Sequence, residues 1–401
     1  MQIRRVVAWS AAAMFIALAG GACQPATGVA KPVQAAISTT HGCAVMTDST
    51  VRCWGSNRNG QLGNGTATGN NTTVSTAVVV QGLTDAKAVT VGNYFSCAVR
   101  TGGGVSCWGL GSHGRLGNGT NTSSSVPVPV SGITNATSVG AANGSTYPGA
   151  CASLATGTVK CWGSNLMGLL GVSSIPNTTA GSSNVPVTVS GVANAAEVSV
   201  GFEVACARHT SGTATCWGRN LDGVFNDPSL PPGDQNTVRL ASPIVGLSGA
   251  TSIAVGDGNV CAMASGGATC WGSADGSTPH PVGGSLGFTS IVGTGGACGV
   301  TPAKQAYCYG PNHFRQIGDP SLPLRDGALF GQPYRVTTPT AVQGLPAAVN
   351  SIRGGHGGAC AVLANDQIWC WGYNVFGAVG TGTRTTDGND PGVNPSRVVG
   401  I

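Results

Sequence analysis

Residues 91–109 read VGNYFSCAVRTGGGVSCWG. Val91 opens an extended run that Cys97, Ala98 and Val99 continue, 101–104 is a glycine-rich turn, and Val105, Ser106 and Cys107 return. Folded as an antiparallel hairpin, the segment sets Cys97 opposite Cys107. Directly opposed residues at a non-hydrogen-bonded pair stand about 4.5 Å apart at Cα, within the span a disulfide bridges. Such a bridge closes a loop of about eleven residues, for which chain entropy gives about 2–3 kcal/mol. The two-residue period of a strand puts Trp108 on the face opposite Cys107, where it can pack between neighbouring sheets.

The same unit recurs down the chain. The pairs are Cys43 with Cys53, Cys97 with Cys107, Cys151 with Cys161, Cys206 with Cys216, Cys261 with Cys270, Cys298 with Cys308, and Cys360 with Cys370. The fifth pair is nine residues apart and the others ten. Their first members step by 54, 54, 55, 55, 37 and 62 residues, so a short fifth step is offset by a long sixth. The aromatic after the second cysteine is Trp54, Trp108, Trp162, Trp217, Trp271, Tyr309 and Trp371. A period near fifty residues points to a propeller or an array. Charged residues are 8% of the chain and glycine is 65 of 401, which suits many short strands joined by Gly/Asn/Ser turns. The net charge of +5 includes Arg4 and Arg5; the remainder is too small and dispersed for nucleic acid.

Residues 1–22 look like an export signal: Arg4 and Arg5, an apolar run from Val6 to Ala19, then small residues before Cys23. Two processing routes stand side by side. Gly20-Gly21-Ala22-Cys23 resembles a degenerate lipobox that would lipidate Cys23, with 23–34 as a short tether. Alternatively an ordinary signal peptidase cuts after Ala19, Ala22 or Ala30. Either route exports the chain, to the cell envelope as a lipoprotein or to the periplasm or medium. Oxidising compartments let the paired cysteines form disulfides. Zinc-type CxxC spacing does not occur.

The full unit adds a strand such as Val126-Pro127-Val128-Pro129-Val130 and a close best seen in residues 53–66, CWGSNRNGQLGNGT, and again in Gly114-Arg115-Leu116-Gly117-Asn118-Gly119-Thr120 and Gly377-Ala378-Val379-Gly380-Thr381-Gly382-Thr383. This resembles the repeat of the regulator of chromosome condensation family, in an exported, disulfide-rich, bacterial form. The resemblance implies an all-β, seven-bladed β-propeller over 35–401. The fourth and fifth units depart from it, with Gly223-Val224-Phe225-Asn226 and Gly272-Ser273-Ala274-Asp275-Gly276. The first unit lacks the Val-Pro-Val-type strand and residues 394–401 match it. The C-terminal strand is therefore expected to pair with the N-terminal blade and close the ring.

No catalytic constellation is legible. His41, His113, His209, His280, His313 and His356 show no ligand spacing, and no GxSxG or phosphate loop occurs. The Asp387-Gly388-Asn389-Asp390 run lacks the twelfth-position glutamate of a calcium loop. No cofactor or metal is expected, and the chain reads as a binder rather than an enzyme. Four connections depart from the repeat: 141–149 with Tyr147, 172–184, 222–240 with Phe225, Asp227, Asp234 and Arg239, and 311–338. The last holds His313, Phe314, Arg315, Arg325, Phe330, Tyr334 and Arg335, the densest aromatic-plus-arginine stretch outside the repeats, and Tyr and Arg dominate binding hot spots. These seven are the candidate partner-binding residues. The expected function is a protein-binding scaffold at the envelope or surface, with a carbohydrate or cell-wall binder as the alternative. Nucleotide exchange, the family's best-known role, follows from the family name alone, and an exported chain does not meet a cytosolic GTPase.

Overall fold

Each repeat folds into one four-stranded antiparallel sheet whose strands neighbour each other in chain order. The computed structural model describes residues 28–401 apart from 71, 144–147, 179, 221–222, 226–237, 265–266, 273–275, 325–333 and 386–391. The leader, Cys23, Tyr147, Asp227, Asp234, Arg325, Phe330 and the 387–390 run lie outside the described residues, as does the side chain of Arg239. Seven sheets, or blades, span 32–79, 86–129, 136–188, 195–243, 252–282, 290–341 and 349–397. The first strand, Pro32–Ile37, begins three residues before the expected domain start. Among the described residues no helix is long and apolar enough to cross a membrane.

Every cysteine pair lies directly opposed on the second and third strands of its blade. From blade 1 to blade 7 the disulfides join Cys43 to Cys53, Cys97 to Cys107, Cys151 to Cys161, Cys206 to Cys216, Cys261 to Cys270, Cys298 to Cys308, and Cys360 to Cys370. This is the pairing expected from the spacing. The Cα–Cα distances are 4.0–4.1 Å, shorter than the 4.5 Å of an open pair because the bridge draws the two strands together. The nine-residue pair, Cys261 with Cys270, keeps the same opposition because its blade turns one residue earlier.

The tryptophans after the second cysteines are fully buried, and Trp108, Trp162, Trp217, Trp271 and Trp371 each share a core cluster with the preceding blade. Their indoles also bond across the boundary. Nε1 of Trp54, Trp108, Trp162, Trp217, Trp271 and Trp371 donates to the carbonyl of Ala378, Gln61, Arg115, Leu169, Val224 and Gln316, at 2.7–3.1 Å. Each acceptor is the second residue of the Gly-x-Leu-Gly-type close of the preceding blade. In five of the six closes the residue two positions on is a glycine with positive φ, as at Gly117 (+65°), where a Cβ would sit 2.8 Å from Trp162; the fourth blade has Asn226 there. At Gly117 glycine supplies both that conformation and that clearance. An asparagine after the third strand shapes the same loop. Oδ1 of Asn57, Asn165, Asn220, Asn312 and Asn374 accepts the amide of Leu62, Leu170, Phe225, Ile317 and Val379.

The fifth unit lacks this close and the sixth carries Tyr309 in place of tryptophan. The two departures are one, because the indole donor and its acceptor loop are lost together across the boundary between blades 5 and 6.

The ring closes, but not by the expected strand exchange. Val393–Arg397 pairs with Ile368–Gly372 of its own blade, so the Val-Pro-Val-type strand is the outer strand that ends a unit rather than the one that begins it. Side chains and the tail make the closure: Trp54 bonds Ala378, Arg52 Nη1 donates to the Gly400 carbonyl at 3.1 Å, and the Ala77 amide donates to the Val399 carbonyl at 3.0 Å. The outer-strand position of Ala77 is Pro127, Pro186, Pro279, Pro339 or Pro395 in five other blades. Proline blunts an exposed strand edge because it has no amide to offer. Blade 1 keeps the amide and spends it on the C-terminal tail.

Candidate partner-binding face

Strand direction puts two sets of connections on one face of the ring: the turns after the inner strands and the loops between third and outer strands. The latter run to fourteen or more residues, from 110–123 in blade 2 to 312–334 in blade 6, but blade 5 has only 273–275. The connections on this face are therefore long in six blades and short in blade 5.

Aromatic rings form a continuous run across the face. Tyr94 of blade 2 meets Phe376 of blade 7 edge-on at 6.3 Å between centroids; Phe376 lies 6.4 Å from Tyr373, Tyr373 4.9 Å from Phe314 of blade 6, and Phe314 4.0 Å from His313. All five residues are half-buried. The structure thus joins two of the expected residues, His313 and Phe314, to three aromatics the sequence reading passed over. Arg315 lies beside them, its Nη1 donating to Asn394 Oδ1 at 3.4 Å. Tyr334 packs against the core of blades 6 and 7, which makes it a structural residue rather than a free contact, and Arg335 starts the outer strand of blade 6. Nothing in chain order links Tyr94 to Phe376. The usable signal is positional, since both sit in the loop-face connections of their units.

The central channel opens at the same face. Asn93, Asn143, Phe202, Asp257 and His356 share one register position, just after the inner strand of their blades. A belt of backbone bonds holds them: the amides of Asn93, Asn143, Phe202 and Asp257 donate to Ala142, Gly201, Gly256 and Thr294 of the next blade. Phe202 stacks on His356 from the opposite side of the ring, at 5.8 Å and 24°. His356 pairs with Asp257, and Asn143 Nδ2 donates across to the Ile37 carbonyl at 3.0 Å. Burial pulls the His356 imidazole down, but the charge and hydrogen bond of Asp257 outweigh it and hold the ring above its ordinary value. An acid and a histidine do therefore meet at the channel mouth. Among the described residues no hydroxyl or thiol bonds His356, so the pair lacks the nucleophile of a triad. Below the mouth the inner strands enclose a cavity of about 320 Å³.

Two further buried groups are structural. His41 Nε2 bonds Ser96 Oγ at 2.7 Å and Nδ1 bonds Thr40 Oγ1 at 2.9 Å, all out of solvent, and burial lowers the histidine to about 3. Arg115 is 2% exposed and its guanidinium donates to the Ser112 and Asn93 carbonyls; burial lowers it to about 10. Among the described residues no group of three potential metal ligands occurs.

Two family descriptions, both of the Regulator of chromosome condensation (RCC1) repeat, match this chain, one at residues 33–61 and 86–115 and the other at 48–99 and 102–147. Residues 33–147 thus match RCC1 repeats. The human E3 ubiquitin-protein ligase HERC2 is 32% identical over 126 residues, which is 31% of this chain and 2% of that protein. The chain thus matches a small part of that relative. Yeast RCC1 (Prp20), solved bound to Kap60, is 18% identical over 86% of this chain and 83% of its own, with a TM-score of 0.66. Human WBSCR16 is 16% identical over 83% and 87%, with a TM-score of 0.67. These likenesses show the RCC1-type propeller fold.

Proposed function

We propose that the chain is an exported, non-enzymatic propeller that captures a protein partner on its loop face. The aromatic run Tyr94–Phe376–Tyr373–Phe314–His313 carries this reading. Rings fixed by one another lose little freedom on binding and supply large contact area, the chemistry of interface hot spots. Yeast RCC1, with the same fold, binds Kap60. Seven disulfides suit an oxidising compartment. The Arg4/Arg5 leader and the small residues before Cys23 support export, with Cys23 as the lipid anchor.

The test is affinity capture from the native cell envelope, with wild type beside Phe376→Ala and Phe314→Ala. Both variants should keep the thermal midpoint within a few degrees and lose the captured protein. Capture unchanged in both ends the reading, and retention on purified glycans instead selects the carbohydrate alternative. Cys23→Ser should move the protein from the membrane fraction to the soluble one, and His356→Ala should leave capture intact.

A further inference from the structure

Strand direction gathers the hairpin turns, such as 101–104, and the links between blades on the face opposite the loops. The longest of these links is 244–251, so the connections here are short where those of the loop face are long. All four lysines of the chain, Lys31, Lys87, Lys160 and Lys304, stand in or beside these turns and links. Four carboxylates share the face. Asp85 pairs with Arg100 at 2.9 Å, Glu197 with Arg208 at 3.3 Å and Asp366 with Lys31 at 2.8 Å, while Asp48 accepts the Thr50 hydroxyl at 2.6 Å. Arg52 and Arg397 donate to the carbonyls of Gly400 and Ile401, and Arg353 shares the channel with Glu197. Lys87, Lys160 and Lys304 make no ion pair with any described residue, and Lys87 and Lys304 are exposed. Against these three charges only Asp48 has no cationic partner.

The same end of the blades shows apolar side chains to solvent. Val33 and Val79 of blade 1 and Val245 after blade 4 are each 53% exposed, and Val399 of the tail is 41% exposed. Three of the four belong to blade 1 and the tail beside it, where the chain enters the ring. The Thr47 amide of the first hairpin turn donates to the Lys31 carbonyl at 2.8 Å, and Lys31 Nζ reaches Asp366 in the turn of blade 7. The chain therefore comes in on this face. Cys23 precedes Lys31 by eight residues, a reach of at most about 28 Å. A lipid on Cys23 would hold this face, rather than the loop face, toward the bilayer.

We propose that the hairpin-turn face lies against an anionic bilayer, with Lys87, Lys160 and Lys304 on its headgroup phosphates, which turns the aromatic run outward to the partner. The proposal rests on the anchored, exported reading above. Lysine is a hydrated point charge on a flexible stem, suited to phosphates that hold no fixed positions. Protein–protein interfaces are depleted in lysine, which argues against a second copy on this face. Basic side chains interspersed with apolar ones suit a headgroup layer, where charge and buried apolar area both add to binding. Each lysine near an anionic surface is worth about fivefold in binding, and salt screens the attraction. Three lysines therefore orient a tethered chain and do not by themselves anchor a free one.

The experiment uses the oxidised Cys23→Ser chain, which carries no lipid, at low salt. It is sedimented with vesicles of phosphatidylglycerol and phosphatidylcholine in equal parts, or of phosphatidylcholine alone. The chain should sediment with the anionic vesicles and not with the neutral ones. Lys87→Gln, Lys160→Gln and Lys304→Gln combined should weaken this at least tenfold with the thermal midpoint kept, and Arg58→Gln on the loop face should leave it unchanged. Acetylation read by mass spectrometry should find the three lysines protected on anionic vesicles and reactive in free solution. Equal sedimentation of the triple variant, equal sedimentation with neutral vesicles, or lysines as reactive on vesicles as off them overturns the proposal. So does a dimer in vesicle-free solution that the triple variant separates, which would give the face to a second copy. All arms run on the unlipidated chain, so their failure leaves Cys23 lipidation and loop-face capture to their own tests.

Discussion

Trp217→Phe removes one indole–carbonyl bond between blades and leaves everything else in place. Trp217 is fully buried, and its Nε1 donates to the Leu169 carbonyl at 2.8 Å. Phenylalanine keeps most of the ring but strands that carbonyl, which costs about 1–3 kcal/mol when a buried acceptor loses its donor. The void left by the smaller ring adds about 1–2 kcal/mol, a fraction of the 3–5 kcal/mol of a full Trp→Ala truncation. The expected loss is therefore about 2–5 kcal/mol, read as a lower midpoint in guanidinium unfolding without reductant. Tyr309→Trp is the matched control. It gives blade 6 the residue of the other six blades, yet blade 5 has only 273–275 where the acceptor loop would stand. It should gain no stability. A Trp217→Phe loss under about 0.5 kcal/mol, the scale of an ordinary surface change, would refute the clasp. So would a gain in Tyr309→Trp equal to the Trp217→Phe loss.

Replacing Cys97 and Cys107 together by alanine should cost about 2–3 kcal/mol from the loop entropy alone, measured against wild type under oxidising conditions. His41 is neutral in the fold, with its value lowered to about 3. The unfolded chain takes up a proton below about pH 6.5 that the fold does not. Stability should thus fall as pH drops from about 6.5 towards 3, by up to about 1.4 kcal/mol per pH unit from this residue. His41→Gln should flatten that slope in denaturation series at several pH values; an unchanged slope would place the proton elsewhere. Ala77→Pro removes the amide that holds the Val399 carbonyl, and should cost about 0.5–1.5 kcal/mol, since five blades already carry proline there. Deleting 394–401 also strips the outer strand from blade 7 and should lower the thermal midpoint much further; equal effects would mean that the tail, not the strand, closes the ring.

The hairpins were legible because their determinants are local. A cysteine, a glycine turn and a second cysteine ten residues on fix register within one segment, and seven copies fix the number of blades. Unit phase was not legible. Val126 to Val130 follows one hairpin and precedes the next, and only the hydrogen bonds from Cys107 and Ser106 assign it to the former. The link between Tyr309 and the shortened fifth unit was likewise out of reach, because donor and acceptor belong to different repeats. Phe202 and His356 are 154 positions apart and meet only because the ring sets blades 4 and 7 face to face. Their shared position after the inner strand was visible all along, but without the ring it carries no distance.

Six joints of this hoop are pinned by a tryptophan and the joint between blades 5 and 6 is not. A closed band does not fail at random, and this one has its soft spot far from its two ends. Under heat or pulling, the crack should start between Gly272 and Tyr309 while the overlap of head and tail still grips. Blades 6 and 7 would then swing outward on the first blade like a gate, so that what looks like the seam of the molecule is in fact its hinge.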